Sequence, residues 1–437
     1  MRLVQTTEGP VQGIDFIDYT LFCGIPFAKA ASGEYRFCAP QPPTPRNDIL
    51  LADRFPDIAP QELHKESSIY YREFYWRDEK TVTRSEDCLR LNIWAPAAES
   101  ETPYPVVVWI HGGGFVKGYG SEIEFDGAEY CRRGIILVSV QYRLGALGFL
   151  VHPWLDEAGR ANGNFGLLDQ IQALKWVQRN IRAFGGDPEQ VTIMGQSAGS
   201  YSVQCLVQSP LTKGLFKRAI QQSAGGYQAE RKRDFTKETA SRMGAEFVRQ
   251  LGVQSLDELC DLPFEKIIQL QAQWKYEENG LECRFAPSID GNVLTDTSDH
   301  LFESGAYAHV DYLVGCTEND IGVTPEMKAN HQKGQLYGSL KRLCLLQDQL
   351  GRTPAHMYYF THSPLGDDLG SFHSSELWYM FGTLGRSWRP KSQEDYALSS
   401  QMLDFWANFI KTGNPNQNGS SAWRPCTNSD PYIQTFV

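Results

Sequence analysis

The chain has 437 residues, 41% apolar and 21% charged, a globular balance that excludes collagen-like, coiled-coil and disordered classes. Its formal charge of −11 argues against a nucleic-acid surface, because phosphate binding needs clustered Lys and Arg. The opening "MRLVQTTEGPVQG" lacks the apolar core of an export signal, and no stretch approaches ~18 uninterrupted apolar residues. Neither export by that route nor a membrane span is expected.

In chain order, the aromatic-rich "SSIYYREFYWRDE" (67–79) comes first, followed by strand-like apolar runs at "PVVVWI" (105–110) and "GIILVSVQY" (134–142). Three more such runs lie at "VTIMG" (191–195), "DYLVGC" (311–316) and "HMYYF" (356–360). Runs this continuous suit strands covered on both faces, as in a parallel sheet flanked by helices. Between two of them, Leu168, Ile171, Leu174, Val177 and Ile181 recur at helical spacing, which predicts a strand-helix-strand unit. "FGGDPEQ" (184–190) supplies the glycines that end this helix. Residues 228–282 read as a charged helical insertion with no strand signal, and "NPNQNGSS" (414–421) as a surface loop. The whole chain, 1–437, reads as a single α/β domain carrying that insertion.

Ten cysteines (Cys23, Cys38, Cys88, Cys131, Cys205, Cys260, Cys283, Cys316, Cys344 and Cys426) are scattered without C-x-x-C pairs or metal-ligand spacing. Their pattern predicts reduced thiols in a cytoplasmic protein.

"MGQSAGS" (194–200) places Ser197 between Gly195 and Gly199, directly after an apolar run and before the helical pattern "YSVQCLVQ". A sharp strand-to-helix turn tolerates only small neighbours, so these glycines would let the Ser197 hydroxyl stand exposed at the sheet edge. "HGGGF" (111–115) follows "PVVVWI" where such folds present backbone N–H groups to a developing oxyanion. Gly113 and Gly114 are the expected donors, with the N–H of Ala198 at a helix N-terminus as the third. A serine hydroxyl needs a base, and the base needs an acid to orient it, in the chain order Ser, acid, His. "TENDIG" offers Glu318 and Asp320 after a strand, and the pattern does not separate them. Of the four histidines that follow, His331, His356, His362 and His373, the last lies in "GSFHSSELW", a loop opening a helix, and is favoured over His362.

These stretches resemble the type-B carboxylesterase family, which includes the cholinesterases and bacterial para-nitrobenzyl esterases. The resemblance also rests on "LFCGIPFAKA", "SEDCLRLNIW", "VQYRLGALGFL", "GNFGLLDQIQALKWVQRNI", "FHSSELWYMFG" and "WANFIKTGNPN", and spans nearly the whole chain. It implies an α/β-hydrolase fold with helical insertions capping the active site, and a serine carboxylesterase that works through an acyl-enzyme. By position it matches Ser197 to the nucleophile, His373 to the base, and Gly113, Gly114 and Ala198 to the oxyanion hole. Asp320 matches the acid, usually Glu in the family, with Glu318 as runner-up, and Ser223 matches a serine that supports the acid. Phe115 and Tyr227 fall at substrate-binding positions, and the aromatics Tyr70, Tyr71, Phe74, Tyr75 and Trp76 fall on the alcohol side.

The resemblance implies no metal or organic cofactor and a small-molecule ester as the partner. Cys88 matches half of a disulfide of secreted relatives, but Ala59 stands where its partner is expected. The segment between Asp320 and His373 is much shorter than the family places there. Two alternatives remain at this level. One is a non-catalytic binding protein on the same scaffold, as in the neuroligins; the other is a hydrolase of amide, carbamate or thioester bonds, since one constellation serves many acyl groups.

Overall fold

The computed structural model describes residues 1–77, 81–98, 100–229, 235–278, 281–416 and 423–437. Its main sheet has ten strands among the described residues: β1 (Ile14–Asp15), β2 (Tyr19–Pro26), β3 (Arg90–Pro96), β4 (Tyr104–Ile110), β5 (Ile136–Val140), β6 (Gly186–Gln196), β7 (Arg218–Gln222), β8 (Asp311–Thr317), β9 (His356–Phe360) and β10 (Gln434–Phe436). From one edge to the other the order is β10, β9, β8, β7, β6, β4, β5, β3, β2, β1. Strands β1, β2 and β3 pair antiparallel and β3 pairs antiparallel with β5; every pairing from β5 to β10 is parallel.

Both faces are covered, which explains the unbroken apolar runs. Along β4, Val106, Val108 and Ile110 enter one buried cluster while Val107 and Trp109 enter another, as the twofold alternation of a strand requires. Helix α1 (Phe165–Asn180) joins β5 to β6 and buries Ile171, Leu174 and Val177, with Leu168 half-buried. Helix α2 (Ala198–Gln208) joins β6 to β7.

Strand β6 starts at Gly186, earlier than the apolar pattern predicts, after Gly185 turns the chain at φ 89°. Strand β7, "RAIQQ", escapes the apolar pattern altogether: Arg218, Gln221 and Gln222 are buried in it.

The stretch expected as a purely helical insertion, 228–282, contains α3 (Lys237–Leu251), α4 (Leu256–Asp261) and α5 (Phe264–Gln273), with residues 230–234 and 279–280 outside the described residues. It also carries short strands, which corrects that expectation. Phe235–Thr236 pairs with Ser288–Ile289, and Tyr276–Glu278 pairs antiparallel with Leu281–Cys283. These pairs are two or three residues long, too short to leave a periodic signal. The loop expected at 414–421 lies, beyond Asn416, outside the described residues.

Two further helices bear on the site. Helix α6 (Gln335–Gln349) is the crossover between β8 and β9, and α7 (Gln393–Thr412) packs Trp406, Phe409 and Ile410 beneath the sheet's second apolar cluster. No helix among the described residues is long and apolar enough to cross a membrane.

Candidate active site

Three loops at the C-terminal ends of β6, β8 and β9 bring the predicted site together. At the first, Ser197 adopts φ 55° and ψ −123°, a strained backbone for a non-glycine residue, and opens α2. The turn is pinned because the Ser197 N–H donates to the Gln222 carbonyl at 2.8 Å, extending the β6–β7 ladder past the end of the strand. Its tightness explains both glycines. A Cβ on Gly195 would lie 2.4 Å from the Gly199 carbonyl oxygen, and one on Gly199 would lie 2.0 Å from the Ile110 carbonyl oxygen. Ala198 is the first residue of α2, so its N–H has no acceptor within the helix.

The glycine loop after β4 runs against this elbow. Gly113, Gly114 and Phe115 follow one another at φ 96°, 67° and 67°, and the loop closes on itself as Val116 and Lys117 donate to the Gly113 carbonyl. A Cβ on Gly112 would come within 3.2 Å of the Ser197 Cβ, so the loop and the elbow are in direct contact. Beneath it the buried His111 ring stacks on Tyr142, and burial pushes its pKa down to about 4. A neutral ring there adds no charge below the loop at neutral pH.

The acid and base loops are tied to each other by their backbones. Asn319 donates to the Ser371 carbonyl at 3.0 Å and bridges Phe372 in parallel register, one residue before Asp320 and His373 respectively. Asp320 Oδ1 then lies 2.5 Å from His373 Nδ1, with both side chains buried. The other ring nitrogen, Nε2, lies 3.3 Å from Gln196 Nε2, which places it at the residue preceding Ser197.

The electrostatics favour an ionised Asp320. Burial alone would raise its pKa; the His373 charge, the hydrogen bond from His373 and the 2.7 Å backbone bond from Ile321 outweigh it, and the value is held below 3.8. The Thr317 N–H donates to Oδ2 at 3.1 Å. Ser223, at φ 60°, is close enough to favour the charged carboxylate, yet among the described residues its hydroxyl makes no hydrogen bond of ordinary geometry. Glu318 is half-buried and donates its backbone N–H to the Phe360 carbonyl, continuing the β8–β9 ladder. Its side chain is not part of the Asp320–His373 contact.

Two expected substrate contacts are placed differently. Tyr227 turns outward and donates its hydroxyl to Glu303 at 2.7 Å, because its loop is stitched to α6 through Tyr227 N–H and Ser339 O. Phe115 is fully buried, edge-on to Phe149 and Tyr201, so it packs behind Tyr201. Tyr201 itself borders the cavity at Ser197. Of the aromatics at 70–76, Tyr70 is near enough to Asp320 and Glu376 for their charges, after burial, to push its pKa up to about 12. Phe74 stacks on Trp378 and Tyr75 on His64, and Trp76 is exposed. This segment is anchored by Glu73, whose carboxylate receives Arg389 Nε at 2.8 Å and Trp378 Nε1 at 2.9 Å.

Sequence reasoning missed two residues here. Gln196 occupies the variable position of the serine motif, and its type carries no signal by itself. Glu376, three residues after His373, is fully buried, and burial followed by the Asp320 charge pushes its pKa up to about 7. Its only sequence signal is its place in "FHSSEL".

Comparison with known proteins identifies the family. The Carboxylesterase family model matches residues 1–347 and 340–436. The chain is 34% identical to a para-nitrobenzyl esterase of Bacillus subtilis (strain 168), over 95% of this chain and 91% of that protein. It is 30% identical to a fumonisin B1 esterase of Sphingopyxis macrogoltabida, over 97% and 84%, and 31% identical to a liver carboxylesterase of Sus scrofa, over 95% and 85%. A solved structure of a PNB esterase superposes with a TM-score of 0.87 at 29% identity, covering 100% of this chain and 96% of that one. A thermophilic PNB esterase gives 0.86 at 30% identity with the same coverage. With an α/β-hydrolase fold and matches along its full length, the chain belongs to the carboxylesterase family and is a carboxylic ester hydrolase.

Proposed function

We propose that Ser197 is the nucleophile, His373 the general base and acid, and Asp320 the residue that orients His373. The observation that carries this reading is the buried 2.5 Å contact between Asp320 Oδ1 and His373 Nδ1, with Nε2 directed to the serine elbow. An ionised Asp320 holds the proton on Nδ1 and leaves Nε2 unprotonated, the form that accepts a proton.

Ser197 Oγ attacks the ester carbonyl carbon as its proton passes to His373 Nε2. The carbonyl oxygen takes up the negative charge and is held by the N–H groups of Gly113, Gly114 and Ala198. Such preset donors are the largest single contribution in acyl transfer, because they need no reorganisation as the charge forms. The tetrahedral intermediate collapses, the C–O bond to the alcohol breaks, and His373 returns its proton to the leaving oxygen. Water then attacks the acyl-enzyme by the same route, giving the acid and regenerating Ser197.

Replacing Ser197 by Ala tests this with 4-nitrophenyl acetate as substrate. Turnover should fall to background with the thermal unfolding midpoint unchanged, and an organophosphate should label wild type at the peptide containing Ser197 alone. Full activity in the variant would overturn the assignment. None of the ten cysteines is in a disulfide, and all but Cys38 are buried. They support a cytoplasmic location, which fractionation of the native cell tests.

A further inference from the structure

His373 stands at the end of a stretch without helix or strand. Strand β9 ends at Phe360, and residues 361–372 run as turns and bends, with one isolated bridge at Phe372, before the base is reached. Such a stretch has no continuous ladder of its own, so its position depends on the groups that bond to it. Asn319 supplies one hold, from the acid loop.

A second hold comes from Arg389, which is 3% exposed. Its Nη1 donates to the Leu365 carbonyl at 3.1 Å and to Asp367 Oδ1 at 2.9 Å, and its Nη2 donates to Asp367 Oδ2 at 2.9 Å. Its guanidinium carbon lies 5.0 Å from the centre of the Phe372 ring, the residue before His373. Asp367 is fixed in turn, since Oδ1 accepts the Leu369 N–H at 3.2 Å and Oδ2 accepts Arg72. Arg389 Nε donates to Glu73, at 2.8 Å to Oε2 and 3.0 Å to Oε1. Glu73 also receives Trp378 Nε1 and Trp388 Nε1. Trp378 belongs to the short helix Leu377–Met380 that follows His373. The buried pair Arg389–Glu73 therefore grips the chain on both sides of the base, at 365–372 and at 378.

The grip depends on the shape of a guanidinium. Its donors lie in one plane at fixed angles, so Arg389 serves two carboxylates and a carbonyl at once; a lysine ammonium, a compact point charge, cannot. Glu73, Arg389, Asp367 and Arg72 alternate in sign, and removing Arg389 would leave the carboxylate of Glu73 buried without its counter-charge.

We propose that Arg389 is a positioning residue for His373: with Glu73 it fixes the loop that carries the base, and so keeps Nε2 in line to give its proton to the leaving alcohol. The inference rests on the assignment of His373 given above.

The leaving group separates this role from one in stability alone. 4-Nitrophenolate is a weak base and departs without a proton, whereas ethoxide must take one from His373 as it leaves; phenolate lies between. The test is kcat/KM for 4-nitrophenyl, phenyl and ethyl butyrate, with wild type, Arg389→Met, Arg389→Lys, Asp367→Asn and His373→Ala. A base displaced by ~1 Å costs about 100-fold, which is the loss expected for Arg389→Met with 4-nitrophenyl butyrate. The ethyl-to-nitrophenyl ratio should fall by about a further tenfold, part of the contribution of general acid catalysis, with phenyl butyrate intermediate. Arg389→Lys and Asp367→Asn should lower the same ratio by smaller factors. Ratios within one enzyme are insensitive to the folded fraction, and the two milder variants carry the comparison if Arg389→Met folds poorly. Equal losses for all three esters in every Arg389 and Asp367 variant would show that the clasp only stabilises the fold, and would overturn the proposal. Full activity in His373→Ala would instead remove the assignment of the base, and this inference with it.

Discussion

Asn319 donates its backbone N–H to the Ser371 carbonyl at 3.0 Å, so the acid loop and the base loop leave the sheet as a bonded pair. The adjoining Asn319–Phe372 bridge sets their register, and Asp320 and His373 emerge side by side. The relationship lets an aspartate fill the proposed acid role, where the family resemblance implies the longer glutamate. The loops approach closely enough for the shorter side chain to reach Nδ1 at 2.5 Å.

Asp320→Asn should therefore be far more damaging than Glu318→Gln. An amide at 320 can donate to Nδ1 and stabilise the wrong tautomer, and in a serine protease the equivalent change lowers kcat by about 10⁴. A loss of about 10³ to 10⁴ is expected for Asp320→Asn with 4-nitrophenyl acetate, and little change for Glu318→Gln. Steady-state kinetics of the two variants decides it, and the reverse order would move the acid to Glu318.

Glu376 should make stability depend on pH in a definite window. Among the described residues its Oε1 receives the Tyr358 hydroxyl at 3.4 Å and its Oε2 has no partner. Burial, then the Asp320 charge, raises its pKa from 4.5 to about 7. A carboxyl with a raised folded-state value contributes stability that is complete below pH 4.5 and is lost as pH rises to 7, because only the folded chain still binds the proton. The loss amounts to about 3 kcal/mol at most. Asp320, held below its ordinary value, acts with the opposite sign and only below pH 3.8. Urea unfolding at pH 5 and pH 8 should show Glu376→Gln losing less stability across this interval than wild type does. Parallel profiles for the two proteins would show that Glu376 does not titrate there.

Where the chemistry is written as contiguous small residues or apolar runs, the fold and the placement of the candidate site are readable in the sequence. "VTIMG" leading into Gly195, Ser197 and Gly199 announces a strand followed by a tight turn, and "PVVVWI" before "HGGGF" announces its neighbour. Strand β7 was not readable, because its core is polar. Gln221 Nε2 donates to Gln204 and to the Ser200 carbonyl across a buried interface, and no periodicity of apolar residues reports a buried amide held in this way. Tyr227 illustrates the same limit from the other side: an aromatic near the motif suggests a pocket, but the bonds of its loop to α6 and its hydroxyl to Glu303 turn it away. The Asn319–Ser371 tie is a backbone bond between distant segments, which side-chain type cannot reveal.

Gly199 offers a test of how strongly the elbow and the glycine loop depend on each other. A methyl group there would sit 2.0 Å from the Ile110 carbonyl oxygen and 2.8 Å from that of His111. Both oxygens belong to backbone, so relief requires the end of β4 to move away from α2. The glycine loop begins at that point, and its displacement would carry Gly113 and Gly114 away from the oxyanion position. Gly199→Ala should therefore cost about 1–3 kcal/mol in urea unfolding, as overpacking does. It should also lower kcat by about 100-fold or more, the range seen when one oxyanion donor is lost. KM should change much less than kcat, since the donors act on charge that develops in the transition state. A variant that is destabilised yet fully active would show that the loop can yield without moving its N–H groups, and would separate the packing of the elbow from its chemistry.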